Sequence, residues 1–214
     1  YTPFLQHLGV PSVDMSFGGD YGVYHSAYDS FYWMAHFGDP TFQYHVAAAQ
    51  IWGTVALRLA DAAALPLDYT DYATQLREFV NETNRLANRK NLGGAFDSKS
   101  MLGAIDDFAD EAAKLDRRRR DDLKDDKPAQ LQRINEALIQ AERALVDDRG
   151  LRGRTWYKHQ IYAPGFYTGY AALPLPDLRQ AIEDGRSADA AQAADRITAA
   201  IKRAAEVLKK GREG

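Results

Sequence analysis

Apolar residues recur at spacings of three and four along most of the chain, which is the period of an α-helix with one buried face. The stripes predict helices between Pro40 and Leu65, at 69–90, from Asp97 onward, at 129–146 and from Leu178 to Lys209. Such helices bury their apolar faces by packing side by side. The expected fold is therefore mainly α, in the form of a helical bundle.

The first seventeen residues follow a different pattern. Phe4, Leu5 and Leu8 predict a short helical turn that Gly9 ends. Residues 10–17 then alternate apolar and polar side chains, which is the period of a strand with one buried face. Because an isolated strand is unstable, this one needs a partner strand from elsewhere.

A dense run of polar and aromatic side chains, Val23–Ser30, precedes an apolar run that starts at Phe31. Asp29 or Ser30 can cap a helix there by accepting hydrogen bonds from its free backbone N–H groups. His25 is thus expected at the end of a loop, just before a helix. A neutral imidazole in such a place can bind zinc or act as an acid or base, and the alternative is packing among the aromatic rings.

Composition excludes several classes of function. The formal charge of −3 gives no general attraction to nucleic acid or anionic membrane, and no run reaches the roughly 18 apolar residues of a membrane span. The absence of cysteine excludes disulfides and thiolate metal sites. Residues 117–127 hold six basic and four acidic side chains with no aromatic residue between them. We expect a solvated helix end there rather than a nucleic-acid site.

Residues 147–176 are rich in aromatic side chains, glycine and proline. This composition predicts a long ordered loop, and long loops in compact proteins are often functional.

Two blocks of sequence carry a family resemblance. The first contains Tyr24-His25-Ser26-Ala27-Tyr28-Asp29, then 39–45 and 57–61, and ends at Leu65-Pro66; the second contains Arg149-Gly150-Leu151, followed by 154–164 and Tyr170-Ala171. In this order they resemble the C-terminal part of the glutamate carboxypeptidase II and transferrin receptor family of zinc peptidases. The resemblance covers essentially the whole chain.

The resemblance implies a division of the chain and a set of partners. Residues 1–66 are expected to be the end of an α/β peptidase domain, which explains the unpartnered strand as a remnant of a larger sheet. Residues 67–214 are expected to be a helical dimerisation domain, with the loop at 150–176 on the substrate side. The implied partners are a second copy of the chain, through the helical domain, and a peptidase segment that precedes Tyr1.

The resemblance also implies chemistry. Full-length peptidases of this family hold two zinc ions and use a glutamate as general base. His25 matches one zinc ligand, Tyr24 matches a substrate-pocket position, and Gly169 and Tyr170 lie in the loop that binds the terminal carboxylate of the substrate. No further ligand and no catalytic residue is matched. We therefore expect zinc in a full-length parent, no tight zinc binding to this chain alone, and no peptidase activity of the chain by itself.

The sequence departs from the glutamate carboxypeptidase pattern in its charges. Gly169 stands where those enzymes have a lysine, and Asp14 and Ser16 lie near their arginine patch. Cationic side chains that would bind the carboxylates of an acidic peptide are missing. We therefore expect a carboxypeptidase or aminopeptidase with a broader substrate specificity. Two non-enzymatic alternatives remain, a scaffold like the transferrin receptor and a stand-alone helical adaptor. The compartment also stays open, with a secreted or periplasmic location as one alternative.

Overall fold

The computed structural model describes residues 1–19, 21–169 and 171–213. The chain forms two compact units, a smaller one of Val13–Ala62 and a larger one of Tyr1–Ser12 with Ala63–Gly214. The described residues are mainly helical, as the apolar stripes predict. No helix among them is both long enough and apolar enough to cross a membrane.

The helices are α1 (Phe31–Trp33), α2 (Gln43–Ala60), α3 (Tyr69–Arg89), α4 (Ser98–Lys124), α5 (Pro128–Arg143), α6 (Pro176–Glu183) and α7 (Ser187–Glu213). Two π-helical turns lie at Pro3–His7 and Met34–Gly38. The strands β1 (Tyr162–Pro164) and β2 (Ala172–Pro174) pair antiparallel.

The larger unit is a helical bundle around one apolar core. Helix α7 packs against α4, α5 and α6, and α3 packs against α4. Its largest fully buried side chains include Leu76, Met101, Ile105, Phe108, Leu115 and Ile134. Gly211 of α7 lies directly on Ala137 of α5, where a Cβ at position 211 would overlap the methyl group of the alanine. Small residues therefore allow α7 to approach its neighbours closely.

Side-chain caps set where the bundle helices begin. The Asp68 carboxylate accepts hydrogen bonds from the backbone N–H groups of Thr70, at 2.8 Å, and of Asp71, at 3.3 Å. Asp97 caps α4 in the same way by accepting from the N–H of Ser100 at 2.9 Å. Each cap satisfies donors that the first helical turn cannot use.

Helix α2 ends at Ala60 rather than at Leu65, where the apolar stripe predicts its end. The residue before a proline disfavours the helical conformation, so Leu65 does not continue the helix into Pro66. Instead, the Leu65 N–H donates to the Asn135 side chain at 2.8 Å, and its carbonyl accepts from Arg119 at 2.6 Å. The segment between the two long helices is thus fixed to the bundle by side chains.

The charged stretch 117–127 is less solvated than its composition predicts. The Asp122 side chain is 1% exposed and pairs with the Arg118 guanidinium at 2.6 Å. Arg119 is also largely covered, since it reaches the carbonyls of Leu65 and Leu67. The expectation of a solvated helix end is therefore wrong for these two residues, because Asp122 is buried in ion pairs within the stretch and Arg119 holds the linker against α4.

Two predictions for the irregular segments also need correction. Residues 9–19 form no strand, and the physical reason is that no described segment pairs with them. Residues 147–176 are not only a loop, because they contain the β1–β2 hairpin and the start of α6 at Pro176.

The smaller unit has almost no core of its own. Asp39 is the one buried residue described within Val13–Ala62, and α2 buries no residue. Ser30 caps α1, as predicted, by accepting a hydrogen bond from the N–H of Trp33 at 3.3 Å. The turn that carries His25 thus precedes a short helix.

Candidate functional site

Tyr24 and His25 lie together in a turn of the smaller unit. Their rings stack, with centroids 3.9 Å apart and planes inclined by 22°. His25 has a φ of 63°, a left-handed conformation that few residues other than glycine adopt. The turn is closed by the Ser26 N–H, which donates to the Val23 carbonyl at 2.9 Å. The predicted zinc ligand is therefore exposed and held by local backbone contacts.

The described residues do not by themselves fit a dinuclear zinc site. They contain no group of three His, Asp or Glu side chains that could hold a metal ion. Two zinc ions need several such ligands, so His25 supplies at most one of them. Any complete site needs ligands that are not found among these residues.

The other histidines have packing roles. His45 Nδ1 lies 2.6 Å from the Asp39 carboxylate, and His36 Nδ1 lies 2.8 Å from the carbonyl of Tyr32. His7 meets the ring of Tyr157 edge-on, with centroids 5.2 Å apart. None of these three belongs to a metal-holding cluster within the described part of the chain.

Of the predicted substrate-binding residues, Gly169 lies in the larger unit, in the loop between the two strands of the hairpin. The Gly165 N–H donates to the Thr168 hydroxyl at 2.9 Å, and that hydroxyl donates to the Ala171 carbonyl at 3.3 Å. Gly169 has a φ of 63°, and a Cβ built there meets no atom within 4 Å. Tyr170 lies outside the described residues. The loop therefore has open space at Gly169.

Arg154 supports this loop from the side. Its Nη1 donates to the Pro164 carbonyl, and its guanidinium lies 5.1 Å from the ring centroid of Phe166 and 5.6 Å from that of Tyr157. The residue is only 8% exposed, and burial lowers the pKa of its guanidinium. Sequence reasoning did not single out Arg154, although it lies inside the second block of the family resemblance.

A second buried group holds the other end of the hairpin. His159 is fully buried, and its Nδ1 accepts hydrogen bonds from the N–H groups of Ile161 and Tyr162, both at 3.1 Å. Because Nδ1 is an acceptor, the ring proton is on Nε2, which donates to the Glu142 carboxylate at 2.9 Å. This pair links helix α5 to strand β1.

Two tyrosines surround the Glu142 carboxylate. Burial, with the negative charge of Glu142 in addition, raises the pKa of Tyr69 and that of Tyr72 well above their ordinary values. Both phenols are thus neutral over the whole physiological range. The Tyr69 hydroxyl donates to the Leu138 carbonyl at 2.7 Å, so it stabilises the same end of α5. Nothing in the spacing of the sequence marks Glu142 as the partner of His159.

The bundle matches a known family. The transferrin receptor-like dimerisation domain covers residues 96–209, more than half of the chain, from Phe96 through almost all of α7. The chain belongs to this family. The family resemblance is thereby confirmed, and most of the core described above lies within the matched residues 96–209.

The similarity extends beyond the dimerisation domain to relatives named as peptidases. The chain is 41% identical over 216 residues to the probable glutamate carboxypeptidase LAMP1 of Arabidopsis thaliana, covering 98% of this chain and 31% of that protein. It is 32% identical over 178 residues to the aminopeptidase NAALADL1 of Rattus norvegicus, covering 77% and 23%. It is 26% identical over 215 residues to a Schizosaccharomyces pombe protein named inactive zinc metalloprotease, covering 95% and 27%. The chain thus spans less than a third of the length of these relatives.

Proposed function

We propose that the chain is the dimerisation and pocket-completing part of a larger zinc exopeptidase of the glutamate carboxypeptidase type. The observation that carries this proposal is the dimerisation-domain match over the bundle, together with the similarity of nearly the whole chain to a probable glutamate carboxypeptidase. The described residues offer one candidate zinc ligand and no metal-holding cluster. The chain by itself is therefore inactive as a peptidase.

The exposed aromatic surface of the smaller unit favours the proposal that a further segment packs over it. Its exposed large apolar side chains include Phe17, Tyr21, Tyr24, Tyr28, Phe31, Tyr32, Phe37, Tyr44 and Trp52. Soluble proteins rarely leave so much aromatic surface in water without a partner. We propose that the remainder of a peptidase domain packs over this surface and brings the other zinc ligands to His25.

The loop at 165–170 then faces the substrate with little positive charge. Gly169 offers no side chain to a terminal carboxylate, so the cationic hydrogen bonds that select acidic peptides are weakened. We therefore propose a carboxypeptidase with broader substrate specificity, or an aminopeptidase. One relative is named as an aminopeptidase. In this proposal Tyr24, Gly169 and Tyr170 contact the substrate, and His25 binds zinc.

Sedimentation equilibrium of the 214-residue chain over a wide range of concentrations tests the dimer. We expect a species of about twice the monomer mass, because closed two-fold dimers are the commonest soluble assemblies. A strict monomer at every concentration would contradict the proposal. The variant Tyr28→Ser with Tyr44→Ser is the control, since these residues are 77% and 68% exposed in the smaller unit. If it abolishes the dimer, association comes from that surface and not from the helical domain.

A peptidase assay tests the second part of the proposal. The chain is incubated with a blocked dipeptide that ends in a free carboxylate, with zinc added and with zinc removed by a chelator. We expect the same background rate in both, because too few ligands are present to activate a water molecule. Zinc-dependent hydrolysis by the chain alone would overturn the claim of inactivity.

One observation favours a second candidate function. A relative with 26% identity over 95% of this chain is named as an inactive zinc metalloprotease, so similar sequence occurs in a protein with that name. A scaffold would keep the dimer and lose the ligands that join His25. The sequence of the gene ahead of Tyr1 decides between the two: His, Asp and paired Glu ligands there indicate an enzyme, and their replacement indicates a scaffold.

A further inference from the structure

The larger unit contains a cleft of about 740 Å³ whose described lining includes neither His25 nor Gly169. Its walls come from the segment 149–155, from two residues of the hairpin loop, and from α6 and the first turns of α7. Arginines are unusually frequent in these walls, namely Arg149, Arg152, Arg154, Arg186 and Arg196. The charge of the cleft therefore depends on how these guanidinium groups are paired.

Four of the five arginines have a carboxylate partner. Arg149 pairs with Asp147 at 2.6 Å and Arg186 with Asp184 at 2.9 Å. The other two pairs are Arg152 with Asp189 and Arg196 with Asp177. These pairs, together with the Asp195 carboxylate that also lines the cleft, cancel most of the positive charge around it.

Arg154 is the exception. Among the described residues no carboxylate lies within ion-pair distance of its guanidinium, and its single hydrogen bond is the one to the Pro164 carbonyl. Its Nε is buried and has no hydrogen-bond partner. A guanidinium has five N–H donors, so most of its capacity is unused. Asp177 attracts the guanidinium only from beyond ion-pair distance, since its carboxylate pairs with Arg196. A buried cation with unused donors is costly, and a bound anion would offset that cost.

The backbone around Arg154 is rigid enough to hold such a site. The Leu151 N–H donates to the Tyr157 carbonyl at 2.8 Å, and the Arg154 N–H donates to the Leu151 carbonyl at 3.0 Å. Gly150 has a φ of 69°, and a Cβ there would overlap the backbone of Thr155. The turn is therefore closed on itself, and the guanidinium is positioned before any ligand arrives.

Aromatic rings lie next to this cation. Phe166 and Tyr167 line the cleft and are 50% and 81% exposed. The Phe166 ring also packs against Arg154 and against the backbone of Gly153. A ligand that reaches the guanidinium thus finds apolar ring surface beside it, which suits a flat apolar body better than a fully hydrated inorganic ion.

We propose that this cleft binds a small aromatic carboxylate, with the carboxylate on Arg154 and the ring against Phe166 and Tyr167. A planar guanidinium matches a carboxylate through paired hydrogen bonds, and this explains an arginine that has no carboxylate within ion-pair distance among the described residues. Gly169 does not line the cleft, although Phe166 and Tyr167 of the same loop do.

The test is an NMR titration of the isotope-labelled chain, following the Nε–H signal of Arg154. The probes are benzoate, inorganic phosphate and benzyl alcohol, which separate the aromatic carboxylate from charge alone and from the ring alone. We expect saturable shifts with benzoate at a lower concentration than with phosphate, and none with benzyl alcohol. Equal affinity for benzoate and phosphate, or no saturable shift with either anion, overturns the proposal.

Variants separate the contacts of the site. Arg154→Lys is expected to weaken benzoate binding about tenfold or more, because the paired hydrogen bonds are lost while the charge remains. Phe166→Ser keeps the arginine and is expected to weaken benzoate but not phosphate. Arg179→Met is the matched control, since Arg179 pairs with Glu183 and does not line the cleft. Unchanged benzoate affinity in folded Phe166→Ser, or a loss in Arg179→Met as large as in Arg154→Lys, contradicts the site.

Discussion

Individual buried residues in this chain act through their hydrogen-bond partners more than through their own size. His159 is fully buried, yet both of its ring nitrogens are used, one by two backbone N–H groups and one by the Glu142 carboxylate. A buried group that loses one partner pays the full cost of desolvation. His159 and Glu142 therefore stabilise the fold together, because the pair fixes the 159–162 segment to α5.

Replacing His159 by phenylalanine is expected to destabilise the larger unit by about 2–4 kcal/mol. The ring fits a similar volume, but the Glu142 carboxylate and two backbone N–H groups lose their partner. Urea unfolding followed by circular dichroism measures the loss. The control is His36→Phe, because His36 is exposed and its ring lies against those of Tyr32 and Phe37. A loss for His159→Phe no larger than for His36→Phe would contradict the role of the pair.

Within the bundle helices, two glycines have opposite effects on stability. Gly103 in α4 is exposed, and a Cβ there meets no atom within 4 Å. Gly211 in α7 instead lies against Ala137, where a Cβ would overlap the alanine side chain. The first glycine only weakens its helix, whereas the second allows two helices to approach.

Changing each of these glycines to alanine is expected to give effects of opposite sign. Gly103→Ala removes backbone freedom from the unfolded chain and stabilises the bundle by about 0.5–1 kcal/mol. Gly211→Ala has the same gain in helix propensity but separates α7 from α5, so we expect a net loss of stability. The midpoints of urea unfolding of the two variants, compared with that of the unchanged chain, show whether the two effects have opposite signs. Equal stabilisation by both would show that the last turn of α7 does not pack as described.

The helices could be predicted from the sequence because each buries one face, and the spacing of apolar residues records that face directly. The hairpin could not, since its strands have three residues each, too few for a period of two to show. The strand predicted for residues 10–17 is absent for a different reason. Apolar and polar side chains alternate there, but a strand also needs a partner strand to pair with. Arg154 and Glu142 were missed because their roles depend on contacts that no local spacing encodes.

The whole molecule combines two units with very different interiors. Nine residues of α7 are buried in the larger unit, whereas α2 in the smaller unit buries none. Local stability follows the number of buried apolar contacts. The two units should therefore open independently and with different free energies.

Native-state hydrogen exchange is expected to show this difference. Amides of α4 and α7 should exchange only through global unfolding, while those of α2 should exchange at least about a hundredfold faster, through local opening. The comparison is internal, since all three are long helices of one sample. Protection of α2 equal to that of α7 would mean that the smaller unit is covered, for instance by a second copy of the chain.

The composition of the face that α7 buries affects how stability changes with temperature. Six of its nine buried residues are alanines, namely Ala190, Ala193, Ala194, Ala200, Ala204 and Ala205. An alanine has no rotamers to lose, so docking this helix costs little side-chain entropy. It also removes little apolar area from water for each residue, which keeps the heat-capacity change of unfolding small. The free energy that α7 contributes by packing against the bundle is therefore expected to depend only weakly on temperature.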